Sequence, residues 1–136
     1  MTLTATALLG FVAWTVLLVV LLGVFRVTMA VSGKQPGGNF KASGEDLDGF
    51  GKRLTRAHAN CYEFLPVAGA VMLYAIATGQ TGLTDGLAYA FIGARIAQSV
   101  VHMASTAQPA VLVRFALFIV QLVIVIMWLL KLTGHI

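Results

Sequence analysis

Residues 3–31 form the run LTATALLGFVAWTVLLVVLLGVFRVTMAV, in which Arg26 is the only charged side chain. A helix crosses the hydrocarbon core of a bilayer with about 20 predominantly apolar residues, and this run is longer than that. No basic segment precedes the run, as it would in a cleavable signal peptide. The run therefore predicts a transmembrane helix near the N-terminus.

Three further segments satisfy the same requirement, at about residues 48–79, 84–105 and 111–132. The only long connection, between the first and second segments, is rich in glycine and polar residues and is typical of a surface loop. The predicted fold class is therefore all-α: a single domain over residues 1–136 that forms an integral membrane four-helix bundle.

The composition supports a membrane protein and excludes several other classes. Charged residues make up 10% of the 136 residues and hydrophobic residues 59%, whereas soluble domains carry about 25% charged residues. The single cysteine, Cys61, excludes an internal disulfide, and no metal-binding spacing of cysteine or histidine is present, so no metal site is predicted. Because the basic residues flank apolar spans, the net charge of +4 indicates membrane orientation and not a nucleic-acid partner.

The basic residues are unevenly distributed between the two sides of the predicted bundle. Lys131 alone lies near the C-terminal end of the fourth span. The positive-inside rule therefore places the first and third loops in the cytoplasm and both termini outside. From the compact termini we expect a bacterial inner membrane. The basic residues on the loop side are Arg26, Lys34, Lys41, Lys52, Arg53, Arg56 and Arg114.

A polar stripe begins the second span. Arg53, Arg56, Asn60 and Glu63 are separated by three, four and three residues, so they fall within roughly an 80° arc of one helix face. Charges at membrane depth cost about 2.5–3.5 kcal/mol each on insertion scales and therefore need partners or a function. His58 lies on a different face and is read as an interfacial residue or a subunit contact.

The third span repeats this pattern. Arg95, Gln98 and His102 lie on one face at positions i, i+3 and i+7. We predict that Glu63 pairs with Arg95; in the alternative reading, the pair only fixes the register of the helices. Gln121, the lone strongly polar residue inside the fourth span, is predicted to form a hydrogen bond between helices.

Together the two stripes predict a polar pocket open to the cytoplasm. Guanidinium groups bind carboxylates bidentately, so the pocket suits an anionic or zwitterionic ligand with several carboxylates. A second, lipophilic small molecule would enter from the bilayer. Arg26, near the cytoplasmic end of the first span, either joins this site or extends to the lipid headgroups.

Residues 53–66 read RLTRAHANCYEFLP and fit the pattern R-x-x-R-A-x-x-N-x-x-E-x-x-P. This segment resembles the signature of the MAPEG family, the membrane-associated proteins in eicosanoid and glutathione metabolism. The resemblance extends to the chain length, the four spans and the long first loop. It implies a homotrimer with a glutathione site between adjacent subunits near the cytoplasmic face.

The resemblance also implies roles for individual residues. Glutathione would be the co-substrate, and the third-helix stripe adds Gln98 to the site. The predicted glutathione-binding residues are Arg26, Arg53, Arg56, Asn60, Glu63, Arg95 and Gln98.

Two positions depart from the pattern of family members with transferase activity. His102 stands where they usually carry a tyrosine, and residues 105–113 lack the basic residue that they place near the third connection. A thiol has a pKa of about 8.5 and needs a cation or donors to ionise more readily. Arg114 or a protonated His102 is the candidate to stabilise the thiolate.

Three functions are compatible with these features. The first is a glutathione-dependent membrane transferase or peroxidase that acts on lipophilic electrophiles or hydroperoxides. The second is a non-catalytic binding or adaptor protein of the same fold, which His102 and the missing basic residue favour. The third is a small multidrug transporter, which ranks last because the first span contains no acidic residue.

Overall fold

The computed structural model describes all 136 residues except the side chain of Pro36. Its four helices confirm the predicted all-α fold, and short 3₁₀ turns lie in the connections on either side of the second helix. The helices are α1 (Leu3–Val31), α2 (Gly49–Ala77), α3 (Asp85–Ala104) and α4 (Gln108–Leu132), and the 3₁₀ turns are Pro36–Gly38 and Thr81–Leu83.

Polar contacts at the two ends of the bundle fix the direction of α3. At the end that carries both chain termini, the terminal end, Asp85 Oδ1 accepts hydrogen bonds from the Thr4 backbone N–H at 2.7 Å and the Thr4 hydroxyl at 2.6 Å. At the end that carries the long connection, the loop end, Arg53 Nε donates to the Met103 carbonyl at 2.7 Å. The third helix therefore spans the full depth of the bundle, from the terminal end to the loop end.

The helices are those of a multi-pass membrane protein. Three of them, α1, α2 and α4, are long and apolar enough to cross a membrane. The 20 residues of α3 extend about 30 Å, which matches the thickness of the hydrocarbon core. Polar residues on its buried face lower its mean hydropathy: Arg95, Gln98, Ser99 and His102.

Aromatic side chains fill the centre of the bundle. The rings of Phe11 and Phe91 meet edge to face at 5.7 Å, and Phe91 lies 5.5 Å from Trp128. All three side chains are fully buried. Large apolar residues elsewhere on α1, such as Leu9 and Val16, are exposed on the outside of the bundle, as expected of a helix that faces lipid.

The fourth helix begins earlier than predicted. Gln108 and Pro109 were expected in the connection, but they form the first turn of α4, and the connection is only residues 105–107. Proline suits this position because the first N–H groups of a helix have no intrahelical acceptor. Arg114 consequently lies in the second turn of α4, inside the bundle depth.

Close packing holds the start of α2 against α1 at the loop end. A Cβ atom built on Gly51 would lie 2.5 Å from the ring of Phe25, so only glycine fits at this crossing without a shift. Leu47, in the connection, is also buried. These contacts position the start of α2, and with it the polar stripe, against α1.

Candidate functional site

A cavity of about 500 Å³ lies between α2, α3 and α4. One wall is polar and carries residues from both stripes, and the other is apolar and comes mainly from α4. The cavity is lined by Asn60, Glu63, Phe64, Arg95, Gln98, Val111, Arg114, Phe115 and Phe118. The structure therefore brings Asn60 and Glu63 of the α2 stripe together with Arg95 and Gln98 of the α3 stripe, whereas His102 does not line the cavity.

Arg95 is a buried cation without an acidic partner. Its side chain is 1% exposed, and its Cζ atom lies 5.3 Å from the Phe11 ring centroid and 5.1 Å from that of Phe64. Its Nη1 donates to the Asn60 carbonyl at 3.4 Å, while its Nε and Nη2 atoms are buried without a hydrogen-bond partner. Unpaired buried donors are costly, so this guanidinium can gain free energy from an anion.

The predicted ion pair between Glu63 and Arg95 is wrong. Among the side chains that the structure describes, the one ion pair within 4.0 Å joins Lys41 and Glu45. Glu63 is exposed, whereas the Arg95 guanidinium is held between two aromatic rings, so the two charges do not meet although both line the cavity. The Glu63 carboxylate therefore remains free to bind a cationic group.

Gln98 is tied to α4. The Nε2 of Gln121 donates to Gln98 Oε1 at 2.8 Å and to the Leu117 carbonyl at 2.9 Å. This contact confirms the predicted interhelical hydrogen bond of Gln121.

His102 is held by Asn60. The Nδ2 of Asn60 lies 3.1 Å from His102 Nδ1, and because an amide nitrogen only donates, Nδ1 is the acceptor and the ring proton is on Nε2. In this arrangement the ring is neutral, and a protonated His102 would require Asn60 to turn its amide oxygen towards Nδ1. His102 itself does not line the cavity, but its partner Asn60 does.

Arg114 places a second guanidinium group at the cavity. Because α4 begins at Gln108, Arg114 lies in the second turn of that helix and lines the cavity. Its Nε is buried without a hydrogen-bond partner. Two guanidinium groups, those of Arg95 and Arg114, thus border one cavity with unpaired donors.

The remaining predicted site residues, Arg26, Arg53 and Arg56, do not line the cavity within one chain. Arg53 donates to the Met103 carbonyl, and the Arg26 guanidinium lies 5.5 Å from the ring centroid of Phe40 in the long connection. Both contacts hold the arginines at the loop end. His58 packs edge to face with Tyr62 at 5.1 Å, away from the cavity, as its different helix face predicted.

Sequence reasoning missed the aromatic components of the site. Phe11 of α1 and Phe64 of α2 clamp Arg95, and Phe115 and Phe118 line the apolar wall. In an apolar span such residues carry no signal of their own. The position of Phe64 four residues after Asn60 was the one useful indication, because residues four apart in a helix lie on the same face.

A comparison with protein-family models matches residues 4–133 to the MAPEG family. The matched segment includes nearly all of the four helices and every residue that lines the cavity. No curated protein and no solved structure matches the chain significantly. Asn60 and Glu63 of the α2 signature line the cavity. Because the match covers almost the whole chain, this protein belongs to the MAPEG family.

Proposed function

We propose that the cavity binds glutathione and that the protein is a glutathione-dependent membrane transferase or peroxidase for lipophilic electrophiles or hydroperoxides. The observation that carries this proposal is the set of unpaired, buried guanidinium nitrogens of Arg95 and Arg114 beside one cavity. Family membership supports a glutathione-related membrane function in general. The specific activity is inferred from the residues of the cavity.

The donors and acceptors of the cavity fit the chemistry of glutathione. Its carboxylates suit the guanidinium groups of Arg95 and Arg114, because such charge-assisted hydrogen bonds are about twice as strong as neutral ones. Its ammonium group suits the free carboxylate of Glu63. A volume of about 500 Å³ is within the range of roughly 300–1,000 Å³ that is common for small-molecule sites.

When bound, glutathione supplies the thiol that acts as the nucleophile. Arg114 offers a cation from α4. His102 lies outside the cavity lining but is bonded to Asn60 in the cavity wall, and we infer that its neutral N–H reaches the thiol in the assembled site. Fixed cations and donors favour the ionised form of a thiol. In this proposal, His102 takes the place of the tyrosine that transferase members of the family usually carry.

The apolar wall gives a lipophilic second substrate a route to the same cavity. Phe115 lines the cavity and is 63% exposed, so one side of the site borders the bilayer. Val111 and Phe118 extend this apolar surface. A site between water and lipid brings two substrates of opposite polarity together, which lowers the entropic cost of their encounter.

In this proposal, a homotrimer brings three further arginines to the glutathione site: Arg26, Arg53 and Arg56. Family resemblance implies a homotrimer with the glutathione site between subunits, and these arginines lie at the loop end outside the cavity of their own chain. We infer that they contact glutathione at a subunit boundary. The excess of basic residues at this end orients it towards the cytoplasm, and we expect the membrane to be a bacterial inner membrane.

The alternative function is a non-catalytic adaptor, and the presence of His102 in place of tyrosine favours that alternative. Thiolate formation distinguishes the enzyme from the adaptor. The test records the ultraviolet absorbance of the thiolate when glutathione is mixed with the purified protein at a series of pH values. We expect thiolate at a lower pH than in free glutathione, and a shift towards the free value in Arg114→Met. Lys52→Met, which removes an exposed cation outside the cavity, is the matched control. Binding without any thiolate signal would identify an adaptor.

A further inference from the structure

Gln121 of α4 has a hydrogen-bonding pattern that a role in joining two helices does not fully explain. The side chain is fully buried, and both of its hydrogen bonds use the same nitrogen, Nε2, with Gln98 Oε1 and the Leu117 carbonyl as acceptors. Its Oε1 is buried without a hydrogen-bond partner among the described residues. A residue that served only to join helices would be expected to satisfy both ends of its amide.

The orientation of this amide is set by the backbone. The Leu117 carbonyl can only accept a hydrogen bond, so Gln121 must turn its NH₂ group towards it. The same NH₂ group then requires an acceptor from α3, which Gln98 provides with Oε1 at 2.8 Å. Reversal of the Gln121 amide alone would place two oxygen atoms against each other, and reversal of the Gln98 amide alone would place two NH₂ groups in contact.

The consequence reaches the cavity through Gln98. Its Oε1 is engaged by Gln121, and its Nε2 has no partner in the chain but is not among the buried unpaired atoms. Since Gln98 lines the cavity, this Nε2 is the group that it presents to a ligand. We infer that Gln121 is a positioning residue, which holds Gln98 as a hydrogen-bond donor to an acceptor oxygen of glutathione; this inference rests on the proposed function.

A double-mutant cycle tests this relay, by which we mean that Gln121 affects the ligand only through its hydrogen bond to Gln98. The variants are Gln98→Met, Gln121→Met and the double variant, and the affinity for glutathione is measured by calorimetry on the full-length protein in detergent. We expect each single change to weaken binding about threefold to tenfold, the usual effect of one hydrogen bond. The double variant should be no weaker than Gln98→Met. Gln80→Met, at the terminal end, is the matched control and should bind as the parent does.

A purely structural role for Gln121 would lower the melting temperature without this pattern in affinity. The inference would be overturned if Gln121→Met bound glutathione as tightly as the parent does. It would also be overturned if Gln121→Met lowered the affinity equally in the parent and in the Gln98→Met background. In both cases the proposal that the protein binds glutathione would be unaffected. A parent protein that does not bind glutathione would instead overturn the proposed function and the relay together. As a second measurement, nuclear magnetic resonance of the ¹⁵N-labelled glutamine amides should show the Gln98 NH₂ signal shift when glutathione is added. A Gln98 signal that stays fixed while glutathione binds would also refute the relay.

Discussion

Replacement of Arg95 by methionine should weaken glutathione binding at least about tenfold without destabilising the ligand-free protein. In the structure Arg95 is 1% exposed, and its Nε and Nη2 atoms have no partner. Each unpaired buried donor costs about 1–3 kcal/mol, and methionine removes both. Methionine also fills a similar unbranched shape between the two rings.

The opposing losses are of similar size. The substitution removes two cation–π contacts, in which Arg95 Cζ lies 5.3 and 5.1 Å from the ring centroids of Phe11 and Phe64. Each contact contributes about 0.5–2 kcal/mol. The substitution also removes one long hydrogen bond of 3.4 Å to the Asn60 carbonyl, worth at most about 1 kcal/mol. The free energy of unfolding of Arg95→Met should therefore differ from that of the parent by no more than about 1 kcal/mol.

The assay compares unfolding in detergent with glutathione binding in the same preparations. Arg53→Met is the matched control for stability, because the Arg53 guanidinium donates a short bond of 2.7 Å to the Met103 carbonyl and its loss should cost about 1.5–3 kcal/mol. A destabilisation of Arg95→Met by more than about 2 kcal/mol, or parental affinity for glutathione, would refute the view that Arg95 is an anion site with unsatisfied donors.

Three further predictions concern other parts of the fold. Asp85→Ala removes the acceptor of two short hydrogen bonds at the terminal end and should lower the free energy of unfolding by roughly 2–4 kcal/mol. Asp85→Asn retains an acceptor and should cost less. Equal effects of the two changes would argue against a role of Asp85 as hydrogen-bond acceptor. Gly51→Ala should destabilise the bundle by about 1–3 kcal/mol through overpacking, as measured by unfolding in detergent. Gly23→Ala should be neutral or stabilising, because no atom lies within 4 Å of the added Cβ. The reverse order would contradict the close crossing of α1 and α2 at Gly51. Cys61 is fully buried, so a thiol reagent should modify it only after unfolding, and rapid modification of the folded protein would show that this part of the bundle opens.

The helices and the stripes were predictable because both follow from periodicity. A bilayer demands long apolar runs, so α1 and α4 were visible directly, and the spacing of Asn60 and Glu63 placed them on one face. The start of α4 was less visible, because Gln108 and Pro109 have the composition of a connection although they form a first helical turn. Turn chemistry and helix starts use the same residues.

The partners of individual charges could not be read from the sequence. Opposite charges on facing helices suggested a pair between Glu63 and Arg95, but the burial of Arg95 between Phe11 and Phe64 depends on the rotation of α1, which its almost uniformly apolar sequence does not specify. The tautomer of His102 likewise depends on its contact with Asn60, 42 residues away in the chain. Such contacts are set by helix packing, which composition and spacing leave open.

Glutathione binding to the cavity is tested most directly by a calorimetric titration of the purified protein and its Arg95→Met variant with glutathione. We predict a saturable heat of binding for the parent and an affinity at least about tenfold lower for the variant, because charge-assisted hydrogen bonds to a carboxylate are lost. No saturable heat in the parent, or the same affinity in a folded Arg95→Met protein, would contradict the assignment of this cavity as the glutathione site.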